Sequence, residues 1–200
     1  APILHNMNLK SEASEGESSK HRIFTNRELS LMVILSALGG AVSVPISYVG
    51  NFLKAVPVLP FGTPQILSGV HVLWILLAGI LVRKPGSSTI AGILKGLVEI
   101  SLFSVHSFNV LLISTVEGFV MDMALASLGR RRRLSLALAG GLSSSSNVVV
   151  LWLTVLQNMP LPIITFMYAM SFGSGILIAG YLGARVLDIA WPLVSRDRYS

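Results

Sequence analysis

Four charged residues lie inside apolar stretches that are long enough to cross a membrane. Lys95 and Glu99 interrupt one stretch, and Glu117 and Asp122 interrupt the next. A charge at bilayer depth costs at least ~2.5–3.5 kcal/mol, so such residues usually serve a ligand pathway, a binding site or a partner. Because three of the four are acids, they predict a polar pocket that favours a cationic or proton-carrying ligand.

The spacing of these charges predicts two layers. Counted from the inner membrane edge, Lys95 lies about 10 Å deep and Glu99 about 6 Å further out. The following stretch runs in the opposite direction, which brings Asp122 level with Lys95 and Glu117 level with Glu99. Lys95 can pair with Asp122 across helices or with Glu99 one turn along its own helix. We expect Lys95 and Asp122 to form a structural ion pair, and Glu99 and Glu117 to lie near the ligand.

Aromatic and polar side chains of the outer half could complete a binding site. A histidine, tryptophan or tyrosine ring can stack on a flat heteroaromatic ligand, and a cation over an aromatic face gains ~0.5–2 kcal/mol. An interfacial belt is the plainer interpretation of aromatic residues, and it suits Trp152 and Trp191 better than the deeper Trp74. The serines at 143–146 are expected to bond carbonyl groups of their own helix. The candidate binding residues are His71, Trp74, His106, Asn109, Asn147 and Tyr168.

The elements that carry these residues are apolar spans in a chain of 200 residues, 52% of them hydrophobic and 12% charged. Soluble domains hold ~25% charged residues, so the composition predicts a protein surrounded by lipid. Backbone groups in lipid must pair internally, and no barrel-type alternation is present, which predicts an all-α integral membrane bundle. Six transmembrane helices are expected, at 29–49, 66–82, 88–107, 109–128, 134–156 and 161–184.

The distribution of basic residues predicts the orientation of the bundle. If the N-terminus is cytoplasmic, 13 of the 15 Lys and Arg residues lie on the inner side, and only Lys54 lies in an outer loop. This asymmetry predicts an N-in, C-in, multi-pass protein of the cell membrane, and it accounts for the net charge of +6 without nucleic acid. The expected parts are a flexible polar cytoplasmic tail at 1–27, the transmembrane domain at 28–192 and a cytoplasmic C-terminal tail at 193–200.

Several activities lack the residues that they need. The chain has no cysteine, its four histidines lack the HExxH spacing of a zinc site, and no GxxxxGK[ST] loop is present for ATP. We therefore expect no cofactor, no metal and no ATPase site. A proton- or cation-coupled secondary transporter stays open as a competing function, although no internal repeat is evident. An intramembrane enzyme and a purely structural subunit also stay open.

The first span has a face of small residues. Ala37 and Ala41 lie four positions apart, so another helix can approach closely there, either within the same bundle or from a partner. The proline-rich loop that follows could fold over the outer mouth of the bundle as a lid.

The chain resembles the substrate-binding S components of energy-coupling factor (ECF) transporters over residues 29–190. The Ala37-x-x-x-Ala41 pair is similar to the signature with which that group docks on its transmembrane T component. The local similarity is to the YkoE-type family of thiamine and hydroxymethylpyrimidine S components. It is carried by RKPGSSTIAGILKGLVE at 83–99 and EGFVMDMALASLGRRR at 117–132.

The resemblance implies a transport subunit rather than an enzyme. Such a component binds a vitamin from outside and docks through its first span on the T component and two cytoplasmic ATPases, which drive release inward. This chain departs from the family pattern at two positions. The family often has an acid where Lys95 stands and Gln where Glu117 stands, so an acid has moved from one helix to the other. The resemblance implies thiamine or hydroxymethylpyrimidine, or a different vitamin, as the substrate.

Overall fold

A computed structural model describes residues 23–54, 63–102 and 107–196, and all regular secondary structure in those ranges is helical. The expected tail before residue 23, the proline-rich outer loop at 55–62, His106 and the last four residues lie outside the described ranges. The helices are α1 (Asn26–Lys54), α2 (Thr63–Ile66), α3 (Ser68–Val82), α4 (Ser87–Ser101), α5 (Ser107–Leu128), α6 (Arg133–Thr154), α7 (Leu161–Ser174) and α8 (Tyr181–Arg196), with the π-helical segment Gly175–Gly180 between α7 and α8.

Within the described residues each predicted span is mostly helical, but the helices differ in length. Four stretches are long and apolar enough to cross a membrane: Asn26–Gly50, Phe108–Leu128, Arg133–Thr154 and Leu161–Ile189. The helix Ser68–Val82 is apolar but shorter, and α4 has only 15 residues. A helix of that length rises about 22 Å, which is less than the ~30 Å of a hydrocarbon core. The all-helical class is therefore confirmed, whereas six crossings with both termini inside stay a prediction.

The chain divides into two compact units, Ala1–Ser30 and Leu31–Ser200. In the first unit, the start of α1 is stabilised by a capping box. The backbone N–H of Thr25 donates to Glu28 Oε2 at 2.8 Å, and the N–H of Glu28 donates to Thr25 Oγ1 at 3.4 Å. The two side chains thus satisfy backbone donors that the first turn of a helix leaves unpaired.

In the second unit, α3 lies at the centre of the helices that surround it. It packs against α4, α5, α6, α7, the π-helical segment and α8. Its apolar residues are buried on most sides, as expected for a helix that is hydrophobic around its whole circumference. Polar side chains on α3 therefore face neighbouring helices rather than lipid.

Small residues let the helices of this unit approach closely. A Cβ added to Gly118 of α5 would lie 2.9 Å from the Cα of Thr89 in α4, and one added to Gly140 of α6 would lie 2.7 Å from the carbonyl oxygen of Gly175. The small residues of the sixth span serve internal packing in this way. The π-helical segment at this contact is a widened turn of a kind found frequently at functional sites.

Hydroxyl groups hold a break at Leu67, between α2 and α3. Ser68 Oγ donates to the carbonyl of Gln65 at 2.6 Å and lies 2.7 Å from Ser144 Oγ of α6 and 2.9 Å from Ser171 Oγ of α7. Ser68 thus pairs a backbone carbonyl at the break, and its contacts with the other two hydroxyls fix the start of α3 against α6 and α7.

Candidate functional site

Lys95 and Glu99 form a buried ion pair on α4. Lys95 is 1% exposed and Glu99 is 5% exposed, and Lys95 Nζ donates to Glu99 Oε1 one turn further along. Lys95 Nζ also lies 3.4 Å from Ser114 Oγ on α5. Of the two pairings that the sequence allows, the structure has the one within the helix. The preferred pairing, Lys95 with Asp122, is therefore wrong.

Asp122 instead caps the beginning of α4. Its carboxylate accepts hydrogen bonds from the backbone N–H groups of Ser88 and Thr89, at 3.2 and 2.8 Å, and from Thr89 Oγ1 at 2.7 Å. The first N–H groups of a helix have no partner within it, and they attract a negative charge. Asp122 thus lies level with Thr89, about 9 Å along the helix axis from Lys95. That separation is the physical reason why the predicted ion pair does not form.

Glu117 is a buried carboxyl group whose Oε1 has no hydrogen-bond partner among the described residues. It lies on α5 and is 1% exposed. Ser114, three residues before Glu117 on the same helix, lies 3.4 Å from Lys95 Nζ, and we refer to Lys95, Glu99 and Glu117 together as the charged cluster. On the other side, Ser143 Oγ of α6 donates to the backbone carbonyl of Glu117 at 2.8 Å. Glu99 and Glu117 are both buried on neighbouring, packed helices, and their place beside a ligand stays a prediction.

Three further candidate residues lie on α3 and α6, two helices that pack against α5. His71 of α3 is partly buried and interacts electrostatically with Lys95. Trp74 lies one turn further along α3 and packs closely against Gly39 of α1, where an added Cβ would lie 2.8 Å from Trp74 Cβ. The buried indole Nε1 of Trp74 has no hydrogen-bond partner in the described ranges. Asn147 Oδ1 of α6 is equally buried and unpaired within the described chain. Orphaned donors and acceptors of this kind are uncommon in folded proteins and often mark functional positions.

The structure does not connect the remaining candidates to the cluster. Asn109 is partly buried near the start of α5, and Tyr168 is 39% exposed on α7, with no hydrogen bond to the described residues of the cluster. His106 lies outside the described residues. Ala37 and Ala41 are exposed on α1, where the described helices do not cover them.

Two serines of the site were not expected from the sequence. Ser114 approaches Lys95, and Ser144 joins the hydroxyl cluster at the start of α3. Within the serine run, Ser145 and Ser146 bond carbonyls of their own helix, as predicted. Ser143 does not, because it faces α5.

The donor set of the cluster suits an organic ligand better than a metal ion. Among the described residues, no three side chains of His, Cys, Asp or Glu converge in a way that could hold a metal. The Lys95 ammonium within the cluster would also repel a divalent ion. A buried carboxylate, an indole N–H and an amide oxygen can instead receive a cationic group and hydrogen-bonding atoms of a heteroaromatic ring.

Comparison with known proteins agrees with a membrane transport role. Residues 27–146 match the family described as "ABC-type cobalt transport system, permease component". A Bacillus subtilis (strain 168) protein with the name "Putative HMP/thiamine permease protein YkoE" is 26% identical over 168 residues, which cover 81% of this chain and 82% of that protein. The crystal structure of an S component of an ECF transporter superposes with a TM-score of 0.75 at 23% identity, covering 84% of this chain and 87% of that one. The chain therefore has the S-component fold and belongs to the family of ABC-type cobalt transport permease components.

Proposed function

We propose that the chain is the substrate-binding component of an ECF-type vitamin importer, and that its substrate is thiamine or the hydroxymethylpyrimidine precursor. The observation that carries this proposal is Glu117 Oε1, a buried oxygen with no hydrogen-bond partner among the described residues, on the helix that packs against the one carrying the Lys95–Glu99 ion pair. Leaving a buried carboxylate unpaired is costly, so a ligand that brings a positive charge or hydrogen-bond donors would stabilise it. The name of the Bacillus subtilis relative supports the same class of ligand.

Two residues on helices that pack against α5 suit a flat heteroaromatic ligand. Trp74 supplies a ring and an Nε1 donor, Asn147 supplies an Oδ1 acceptor, and neither atom has a partner among the residues described. An aminopyrimidine ring carries both N–H donors and ring-nitrogen acceptors, and a thiazolium ring adds a fixed positive charge. Glu117, Trp74 and Asn147 would bind these groups, with Glu99, His71, Asn109, Tyr168 and His106 as further proposed ligand residues.

A divalent metal is the competing substrate that the family description suggests. The Lys95 ammonium would repel a divalent metal ion, and the described part of the chain has no three converging metal ligands. A proton- or cation-coupled secondary transporter would also use buried carboxyl groups. The similarity of fold to an S component favours the ECF-type importer, because such a component works with partner subunits rather than alone.

The exposed face of α1 is the proposed docking surface for those partners. Ala37 and Ala41 lie on this exposed face of α1. The larger Ile34 and Leu38 lie beside them and are 56% and 48% exposed. Small residues between larger ones form a shallow groove that a partner helix can approach closely. We propose that a T component docks there and that two cytoplasmic ATPases complete the importer, with this chain crossing the cell membrane six times, N-in and C-in.

Ligand binding by the purified protein tests the proposed function. Binding of thiamine and of hydroxymethylpyrimidine is measured through quenching of tryptophan fluorescence in detergent, for the wild type, Glu117→Gln and the control Asp188→Asn. Asp188 is a surface carboxyl group, 49% exposed, so its loss should leave binding unchanged. Saturable binding that weakens about tenfold or more in Glu117→Gln is expected, since a lost charged contact is worth about 1.5–3 kcal/mol. Folded wild-type protein that binds neither ligand would rule out this substrate assignment.

A further inference from the structure

Gln65 of α2 is a buried amide side chain that was not among the residues predicted from the sequence. It is 4% exposed, and its Oε1 has no hydrogen-bond partner among the described residues. A buried amide oxygen without a partner is costly, because it has given up its hydrogen bonds to water. Most buried polar atoms of folded proteins are paired, so this oxygen calls for an explanation. A ligand that donates a hydrogen bond to it would remove the cost.

The serine hydroxyls at the start of α3 are already committed to other acceptors. A serine hydroxyl has one proton to donate. Ser68 Oγ donates to the backbone carbonyl of Gln65 at 2.6 Å, and Ser171 Oγ donates to the carbonyl of Ser144 at 2.7 Å. Ser144 Oγ lies 2.7 Å from Ser68 Oγ and 3.1 Å from Ser171 Oγ, so its proton also serves this cluster. The cluster therefore holds the backbone of Gln65 and leaves the side-chain oxygen unpaired.

The same contacts place Gln65 around the turn of α6 that holds Glu117. Ser144 of α6 contacts Ser68, whose hydroxyl bonds the Gln65 carbonyl. The preceding residue of α6, Ser143, donates to the backbone carbonyl of Glu117 at 2.8 Å. One turn of α6 thus connects α5 with the break between α2 and α3, and α3 itself packs against α5. Two buried oxygens without a partner in the described chain, Gln65 Oε1 and Glu117 Oε1, belong to residues joined through this turn.

We propose that Gln65 is a ligand-binding residue whose side-chain oxygen accepts a hydrogen bond from an N–H group of the ligand. This inference rests on the proposed function, because it assumes that the substrate binds among the helices that surround Glu117. Thiamine and hydroxymethylpyrimidine share an aminopyrimidine ring, and its amino group is such a donor. Gln65 thus recognises the part that both ligands have in common. A ring without the amino group leaves Oε1 unpaired and binds more weakly.

Binding of a ligand pair that differs only in this donor tests the role of Gln65. Titration calorimetry compares hydroxymethylpyrimidine with the analogue in which hydrogen replaces the amino group. The wild type should prefer the amino ligand about tenfold. This preference should fall to about twofold or less in Gln65→Met, which has no acceptor oxygen, and persist in Gln65→Glu, which keeps one. The matched control is Gln157→Met, a change at an exposed glutamine that should leave the preference unaltered.

The unfolding temperature of the ligand-free protein separates this role from a structural one. A side chain that holds the fold together makes the protein less stable when its polar group is removed. An unpaired buried oxygen has the opposite effect, since its removal ends a desolvation cost. Gln65→Met should therefore unfold about 2–4 °C higher than Gln157→Met in detergent without ligand.

Two results would overturn the role of Gln65. One is a folded Gln65→Met variant that keeps the wild-type preference for the amino ligand, a result that leaves the proposed function intact. The other is a Gln65→Met variant that unfolds at a lower temperature than Gln157→Met, because the amide would then serve the fold. If the wild type binds neither thiamine nor hydroxymethylpyrimidine, the substrate assignment fails by itself. The unfolding temperatures then decide for Gln65, and a less stable Gln65→Met variant refutes the ligand role as well, whereas a more stable one supports a donor ligand of another class.

Discussion

Glu117 is the residue on which the proposed function depends, and its place in the core could be predicted from the sequence. Its interruption of an apolar span indicates burial, and the opposite direction of neighbouring spans places it near Glu99. The partner of Lys95 could not be predicted in the same way, because Glu99 and Asp122 both lie within reach on sequence spacing. Which acid pairs with Lys95 depends on where α4 begins, since N–H groups at the start of that helix bind Asp122. A helix start is uncertain by a few residues in a sequence.

Trp74→Phe should weaken thiamine binding about threefold to tenfold and remove most of the fluorescence response. Phenylalanine keeps an aromatic ring near Gly39 but loses the Nε1 donor, which is unpaired in the described chain. A neutral hydrogen bond contributes about 0.5–1.5 kcal/mol, which gives that range of affinity. The measurement is fluorescence titration beside Trp152→Phe, a change at a 39% exposed position that should keep both affinity and response. An unchanged response in Trp74→Phe would place the ligand elsewhere.

At the scale of the helices, hydrophobic stretches and the charged turns that bound them were enough to predict where most helices lie. The turns at 83–86 and 129–133 end α3 and α5 within a residue or two of the predicted positions. The break at Leu67 and the π-helical segment Gly175–Gly180 could not be predicted. Both are changes of backbone hydrogen bonding inside apolar sequence, and they leave composition and periodicity unaltered.

Asp122→Asn should lower the free energy of unfolding by about 1–3 kcal/mol. The carboxylate accepts three hydrogen bonds at the start of α4, and an amide would turn its NH₂ group toward one of these donors. Thermal unfolding in detergent measures the change, with Asp188→Asn as the matched control. The Asp188 bridge to Arg133 is exposed, and such pairs contribute only about 0–1 kcal/mol. Equal unfolding temperatures for the two variants would contradict the capping role.

Ser144→Ala should destabilise the protein more than Ser146→Ala, by about 1 kcal/mol. Ser144 Oγ joins Ser68 of α3 and Ser171 of α7, so its removal leaves buried hydroxyls with fewer partners. Among the described residues, Ser146 Oγ bonds the carbonyl of Ser143 in its own helix, an interaction that adds little to stability. Both variants are compared by thermal unfolding. If Ser146→Ala is the more harmful change, the hydroxyl cluster does not hold the three helices together.

For the molecule as a whole, composition predicts a lipid-embedded helical protein, and the distribution of Lys and Arg predicts its orientation. The assembly with partners could be proposed only from a resemblance and from the small face of α1. Sequence alone could not decide whether Ala37 and Ala41 pack inside the bundle, because small pairs occur at both kinds of contact. Their exposure on α1 leaves that face open to a partner helix.

Ala37→Leu together with Ala41→Leu should abolish copurification with the cognate T component and ATPases while leaving thiamine affinity unchanged. Leucine would fill the shallow groove between Ile34 and Leu38, and the partner helix could no longer approach. Ala126→Leu, at an exposed position of α5, is the matched control and should keep the complex. Retention of the full complex by the double variant would place the docking surface elsewhere.

An experimental structure of the protein with thiamine bound would decide whether Glu117 receives the ligand. We predict that the thiazolium or aminopyrimidine group lies within about 4 Å of Glu117 Oε1, the distance at which opposite charges form an ion pair. We also predict that Trp74 and Asn147 line the ligand, while Asp122 still caps α4. Thiamine bound away from Glu117, with Oε1 still unpaired, would contradict the proposed site.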